Sequence, residues 1–144
     1  MTGEAAQRTT RIGLALLSLT SIPLGLWAVI APRSYYDDFP GFGRQWISPD
    51  GPFNEHLMRD FGGLNLAIGV FTVCAAIWLL RPMVIGAALA WIVWPLPHLT
   101  YHLLNLHHYD TTDQIGIIGG LVVGPVVAVV LLVVSRSLPA RAEQ

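Results

Sequence analysis

The apolar positions of the chain fall into four runs, Ile12–Ala31, Phe61–Leu80, Met83–Leu104 and Ile115–Val134. Each is 20 to 22 residues long and contains no Asp, Glu, Lys or Arg. A hydrocarbon core about 30 Å thick needs roughly 20 helical residues to cross it. Backbone groups in lipid must also pair within their own segment. The pattern therefore predicts four membrane helices in an all-α, polytopic four-helix bundle, with residues 1–144 as one four-span domain. The second and third runs are separated only by Arg81-Pro82, a tight helical hairpin in which Pro82 suits the first turn of a helix. The first run is longer than the roughly 7–15 residues of a cleavable signal core and ends at Ala31-Pro32, so it reads as a retained helix. The tails, residues 1–9 and 139–144, are short and polar and are expected to fray.

Composition agrees with this class. The chain is 53% hydrophobic and 12% charged, against about 25% charge in soluble domains, which excludes an ordinary soluble globule. A net charge of -1 offers no basic surface to nucleic acid. The single cysteine, Cys74, excludes a disulfide framework and is expected to be a buried, inert thiol. All 8 basic residues are Arg. With the N-terminus inside, Arg8, Arg11, Arg81, Arg136 and Arg141 are cytoplasmic. Arg33, Arg44 and Arg59 lie outside among acids, and the loop Asn105–Gln114 carries Asp110 and Asp113 but no Arg. This bias favours both termini in the cytoplasm.

The long outer loop, residues 32–60, is rich in aromatics. Tyr35, Tyr36, Phe39, Phe42 and Trp46 suit an interfacial belt, or a lid over a pocket between the helices, while Pro40, Gly41 and Gly43 break regular structure among them. Asp50-Gly51-Pro52 reads as the start of the second helix, which would then project above the membrane before Phe61. On that projection Glu55 and Arg59, and His56 and Asp60, are four apart and can meet on one face. They are either idle surface pairs or a charged rim over the mouth of the bundle.

The third run ends in WPLPHLTYHLLNLHHYD. Pro95 and Pro97 each remove a helical hydrogen bond and should bend or open the helix near Val93. His98 and His102 follow at i and i+4, with Trp94 one turn before and Tyr101 and Asn105 beside them. His98 would lie roughly 9 Å below the outer boundary at helical rise, a depth at which an ionisable group faces the bundle or a wet cavity. The pair could bind a divalent metal, relay a proton or hold a substrate, or satisfy carbonyls freed by the prolines. The expected partners of His98 are Asp60 and His56; His107 and His108 are expected to face solvent. Five histidines are too few for the histidine boxes of membrane desaturases, and no facing histidine in another span could complete a bis-histidine haem.

In the fourth run Gly116, Gly120 and Gly124 form two overlapping G-x-x-x-G motifs and predict a close helix-packing ridge, within the bundle or between subunits. No span contains a carboxylate, which argues against proton-coupled drug export of the small four-helix kind. The segments APRSYYDDFPGFGRQW and GPFNEHLMRDFGGLNLAIG resemble those of uncharacterised small four-helix membrane proteins of high-GC actinobacteria, and the layout is similar to the broad DoxX-like group. The resemblance implies a four-span architecture and supplies no catalytic residue. Together these readings favour a non-enzymatic membrane subunit, or a binder of a lipid or quinone-type ligand, with an outer cavity lined by His98, His102, Tyr101, Asn65, Asp60, His56 and Glu55. The alternatives are an oxidoreductase or isomerase using His98 and His102, and a metal-binding or transport component. The bilayer and either a second copy or another membrane protein are the expected partners.

Overall fold

A computed structural model describes residues 3–138. Its elements are α1 (Gly3–Ile30), α2 (Pro32–Asp38), a two-residue hairpin of β1 (Pro40–Gly41) and β2 (Arg44–Gln45), α3 (Glu55–Trp78), α4 (Arg81–Val93), α5 (Pro95–Leu104) and α6 (Thr111–Val134), with single 3-10 turns at Ser48–Asp50, Leu106–His108 and Ser135–Ser137. Among the described residues four helical runs are long and apolar enough to cross a membrane, with α4 and α5 together forming the third. α1 packs along α3, α4 and α5 pack on α6, and contacts of α3 with α4 and of α1 with α6 close the ring. One end of the bundle carries residues 31–54 and 105–110 (the loop end); the other carries the start of α1, Leu138 and the turn at Leu79–Leu80 (the terminal end).

The four expected apolar helices are present, and they run past the apolar stretches. α1 starts at Gly3 rather than near Ile12, because Ala6 and Thr10 are fully buried and Ala6 shares an apolar cluster with Leu138. The expected fraying of the N-terminal tail is thus corrected from Gly3 onward, while that of 139–144, with Arg141, falls outside the described residues. α4 stops at Val93 and α5 restarts at Pro95, the break that Pro95 and Pro97 impose. Pro82 occupies the first turn of α4, and Leu79 makes the turn before it in the left-handed region at φ 50. α3 begins at Glu55 rather than Pro52. Its N-cap is Asn54, whose side chain accepts from Leu57 N–H at 3.1 Å, while Asp50 ends a separate 3-10 turn and Gly51 at φ 152 divides the two. The outer loop opens with a helix, α2, started by Pro32 in its first turn and ended before Pro40.

The closest approach in the bundle joins α1 to α3. A Cβ on Gly25 would stand 2.8 Å from the Gly62 carbonyl oxygen, one on Gly62 2.9 Å from the Gly25 carbonyl oxygen, and one on Gly69 2.6 Å from Ser21 Oγ. Small residues let the two backbones touch, and van der Waals contact drives helix pairing where lipid offers no hydrophobic gain. The glycines of α6 behave differently. Gly116 lies under the Trp46 ring and Gly124 under Trp91, whereas Gly120 is exposed with nothing within 4 Å of an added Cβ. Gly116, Gly120 and Gly124 therefore do not form one packing ridge within the chain: two are seats for indoles and the middle one opens outward.

Trp91 ties the centre together. It covers Gly124 of α6 and donates through Nε1 to Thr72 Oγ1 of α3 at 3.0 Å, and Thr72 in turn donates to Ile68 O at 2.7 Å. The outer surface is apolar: Leu19 is 70% exposed, and Ile12, Leu16, Val70, Ile77, Val123 and Val133 face outward as well. In water such a continuous belt would be an aggregation surface; next to lipid it costs nothing. Cys74 is half-buried rather than buried, since it sits at the edge of the inward stripe formed by Asn65, Gly69, Thr72 and Ala75.

Candidate functional site

A cluster of histidine and aromatic side chains lies at the loop end, around α5. With no N–H on Pro95 or Pro97, the helix re-forms after Trp94 and sets His98 and His102 one above the other. Their Nε2 atoms are 3.0 Å apart and their rings stack with centroids at 4.9 Å. Between two neutral imidazoles this contact needs one Nε2–H donor and one Nε2 acceptor. Phe61 of α3 lies edge-on to His98 at 6.3 Å and packs on Trp94 at 5.5 Å. Tyr35 of α2 stacks on Phe61 at 5.7 Å. Phe61 and Trp94 thus flank His98, which is half-buried. His102 is 6% exposed, and among the described residues its Nδ1 has no hydrogen-bond partner.

Tyr109 closes this space from the 105–110 turn. Its ring lies 6.2 Å from that of His102 and its hydroxyl donates to Trp46 O at 2.9 Å. Gln114 of α6 fixes the turn by donating to Tyr109 O and Leu106 O. From the other side Tyr36 donates to Gly51 O at 2.5 Å and so pins the Ser48–Asp50 turn. That places Asp50 beside Tyr109. Burial, and then the Asp50 carboxylate, push the Tyr109 phenol well above its ordinary range. Asp50 Oδ1 is itself buried with no partner among the described residues. Burial alone pushes the Tyr35 phenol up in the same way.

The β1–β2 hairpin is clasped to α6. Trp46 Nε1 donates to Asp113 Oδ1 at 2.7 Å, Arg44 pairs with the same oxygen, and Arg44 also reaches Asp110 Oδ2 at 3.5 Å. The hydrogen bond to Asp113 is the main reason that the Arg44 guanidinium holds its proton more tightly than usual. Asp110 caps α6 by accepting from Asp113 N–H at 2.8 Å. At the hairpin tip Gly41, Phe42 and Gly43 all have positive φ, and Phe42 is fully exposed.

Of the seven residues expected to line one outer cavity, His98 and His102 come together, Tyr101 lies edge-on to His102 at 5.5 Å, and the other four do not join them. Glu55, His56 and Asp60 are exposed on the first turns of α3. Glu55 pairs with Arg59 at 2.7 Å and His56 with Asp60 at 3.2 Å, so the i,i+4 spacing holds but both pairs stay outside. The inward stripe of α3 starts at Met58. His56 and Asp60 are each two residues from it, roughly 160° round the helix. His98 therefore finds His102, Phe61 and Trp94 in place of Asp60 and His56. Asn65 is buried but donates to Phe61 O of its own helix at 2.9 Å. Tyr101 is 44% exposed on the outside of α5. His107 and His108 are exposed, as expected.

Among the described residues no group of three or more His, Cys, Asp or Glu is placed to hold a metal ion, and the two imidazoles already serve each other. Asp50 and Tyr109 were not singled out from the sequence as partners of the histidines, because only the fold brings these two segments to α5. The order S-P-D-G-P disguised Asp50 as a helix cap.

Two recesses border this region. One, of about 480 Å³, lies open beside the clasp and is lined by Phe42, Gly43, Arg44, Gln45, Pro49, Asp110 and Asp113. The other, of about 350 Å³, is an apolar groove on the outer face, between Pro95, Leu96 and Leu99 of α5 and Val122, Pro125, Val126, Val129 and Val130 of α6. Two prolines, Pro95 and Pro125, stand in its walls. No protein-family model matches the chain, and no curated protein or solved structure is similar to it.

Proposed function

We propose that this chain is a non-enzymatic integral protein of a bacterial plasma membrane, with both termini cytoplasmic, that binds a lipid-like ligand in the groove between α5 and α6. The groove carries the reading: eight side chains line it, none of them polar, and it opens on the apolar belt. Lipid tails are as apolar as leucine, so burial alone cannot favour one chain over another there. Selection must come from shape, and the proline-framed walls supply a fixed one. The distribution of arginines supports the orientation, and the resemblance to four-span actinobacterial and DoxX-like proteins is in keeping with the architecture. Native mass spectrometry of protein released from nanodiscs tests the reading. A stoichiometric chain-bearing adduct is expected, and Val126→Trp, which fills the groove, should remove it. Bare protein, or an adduct indifferent to Val126→Trp, would sink the proposal.

A second reading has an observation of its own. Gly119 and Gly120 are exposed on α6 with open space above them, the kind of surface another helix can approach closely. Pairing of α6 with a second copy or another membrane protein would make the protein a subunit. Cross-linking through Gly120→Cys in membranes separates this reading from the first.

A further inference from the structure

We propose that Phe42, at the tip of the β1–β2 hairpin, is a membrane-surface anchor whose ring enters the headgroup layer of the leaflet at the loop end; this goes beyond the groove and rests on the chain being embedded in a bilayer, as proposed above. Residues 31–54 carry six aromatic side chains, and the fold divides them. Tyr35 and Tyr36 are buried. Phe53 packs on Tyr36 at 5.4 Å, Phe39 packs on Trp46 at 5.8 Å, and Trp46 covers Gly116. Phe42 alone is exposed, and fully so. The interfacial belt expected of the whole loop narrows to this one ring.

Neither the backbone nor the core accounts for a phenylalanine there. Phe42 and Gly43 form a two-residue tip with φ of 60 and 75. Positive φ at both tip positions is the pattern of the tight hairpin turn that favours Asn-Gly, and a bulky side chain seldom adopts it. Phenylalanine therefore costs stability twice, once in the turn and once as an apolar ring in water, and a contact outside the chain offsets both. The ring is also aimed. Trp46 N–H donates to Phe39 O at 2.7 Å and Trp46 Nε1 donates to Asp113 Oδ1 at 2.7 Å, so the tip projects from a fixed base.

The height of the hairpin selects lipid as that contact. Trp46 lies on Gly116, next to Ile115, where the charge-free run of α6 begins and whose side chain is 70% exposed. Arg44 reaches Asp113 and Asp110, about one and two turns nearer the start of the helix. The hairpin thus runs beside the first two turns of α6, across the border between the apolar belt and the first charges. Aromatic rings are favoured at that level, in a headgroup layer about 5–7 Å deep on each side. Arg44, the one charged side chain of residues 40–45, is already engaged by the two aspartates. A lone ring with no free charge beside it on the hairpin suits a partner read by depth rather than by sequence.

The full chain with fluorinated phenylalanine, in phosphatidylcholine nanodiscs, tests the anchor by fluorine NMR. The chain has five Phe residues, and the Phe42 signal is the one lost in Phe42→Leu. A nitroxide on the lipid headgroup should broaden that signal several-fold more than a gadolinium chelate confined to water. Phe71, 40% exposed midway along α3, is the reference and should answer to a nitroxide on the acyl chain. Broadening of Phe42 by the chelate alone, with Phe71 still answering to lipid, overturns the anchor and leaves the embedded bundle standing. Broadening of Phe71 by the chelate alone overturns the embedding itself. A Phe42 signal shielded from both agents means that a second copy or another protein covers the ring, and the lipid anchor is wrong. Phe42→Asn supplies the residue that the turn prefers and removes the ring. Amides of residues 40–46 should nevertheless exchange hydrogen several-fold faster in nanodiscs; equal or slower exchange would mean that the ring gives the hairpin no hold on lipid.

Discussion

At Gly62 a side chain has nowhere to go. An added Cβ would meet the Gly25 carbonyl oxygen, Ala28 Cβ and Val29 Cγ2, all within 2.9 Å, and backbone cannot step aside as a flexible side chain can. Gly62→Leu should therefore lower stability by about 1–3 kcal/mol, the usual penalty of overpacking, seen as a lower melting temperature in detergent. Gly120→Leu, with open space around it, should stay within about 0.5 kcal/mol. The sequence pattern pointed the other way. Gly116, Gly120 and Gly124 stand out as a motif because they share one helix. Gly25 faces Gly62 across two helices, and Gly62 and Gly69 are seven apart, the spacing of a left-handed packing seam. Charge behaves more locally. Tyr35 and Tyr109 hold their protons more tightly folded than unfolded. Their contribution to stability is thus fully present below the unfolded phenol value of about 10 and is lost as pH rises through the higher folded values. Phenolate absorbance in an alkaline titration should show a late phase that shrinks in Tyr35→Phe and again in Tyr35→Phe/Tyr109→Phe. A late phase unchanged in both would contradict this assignment.

The elements divide by how far their causes extend along the chain. A run of 20 uncharged apolar residues is visible in any window, and so the four long apolar helices, the proline break before α5 and the placement of His98 and His102 on one side of it could be read directly. α2 could not. Its seven residues, PRSYYDD, have no apolar period of their own, and their helix is held by Tyr35 and Tyr36 packing into the loop-end cluster with Ala28 and Met58. The hairpin likewise depends on a distant element. Asp113 accepts from Trp46 and pairs with Arg44, and Asp113→Ala removes both anchors together. Amides of residues 40–46 should then exchange hydrogen several-fold faster, with the amides of α1 and α3 unaffected. Equal protection in the variant would show that Trp46 on Gly116 is anchor enough.

For the whole molecule the strongest signal is the inversion of the usual solvent rule. Most of the large outward-facing side chains are leucine, isoleucine and valine, and several polar side chains bond their own helices, as Ser18 does to Leu14 O at 2.9 Å. This arrangement suits a bilayer, and orientation within it is testable. With both termini cytoplasmic, Asp38→Cys in α2 should react with an impermeant maleimide added to intact cells, and a cysteine after Gln144 should react only after lysis. Labelling in the opposite order would reverse the topology and place the histidine pair near the cytoplasmic face.

The clasp between the hairpin and α6 also has a history in time. Trp46 leaves the ribosome 67 residues before the aspartate that receives its indole N–H. At the roughly 5–20 residues per second of bacterial and eukaryotic synthesis, that is on the order of several seconds. In the proposed topology Arg44 and Trp46 are by then across the membrane, and the helix that will fasten them has not been made. A nascent chain arrested after its third span should carry a loop that an external protease cuts readily, and release of the fourth span should end that sensitivity. The last helix to be translated thus acts as the latch of a structure laid down before it.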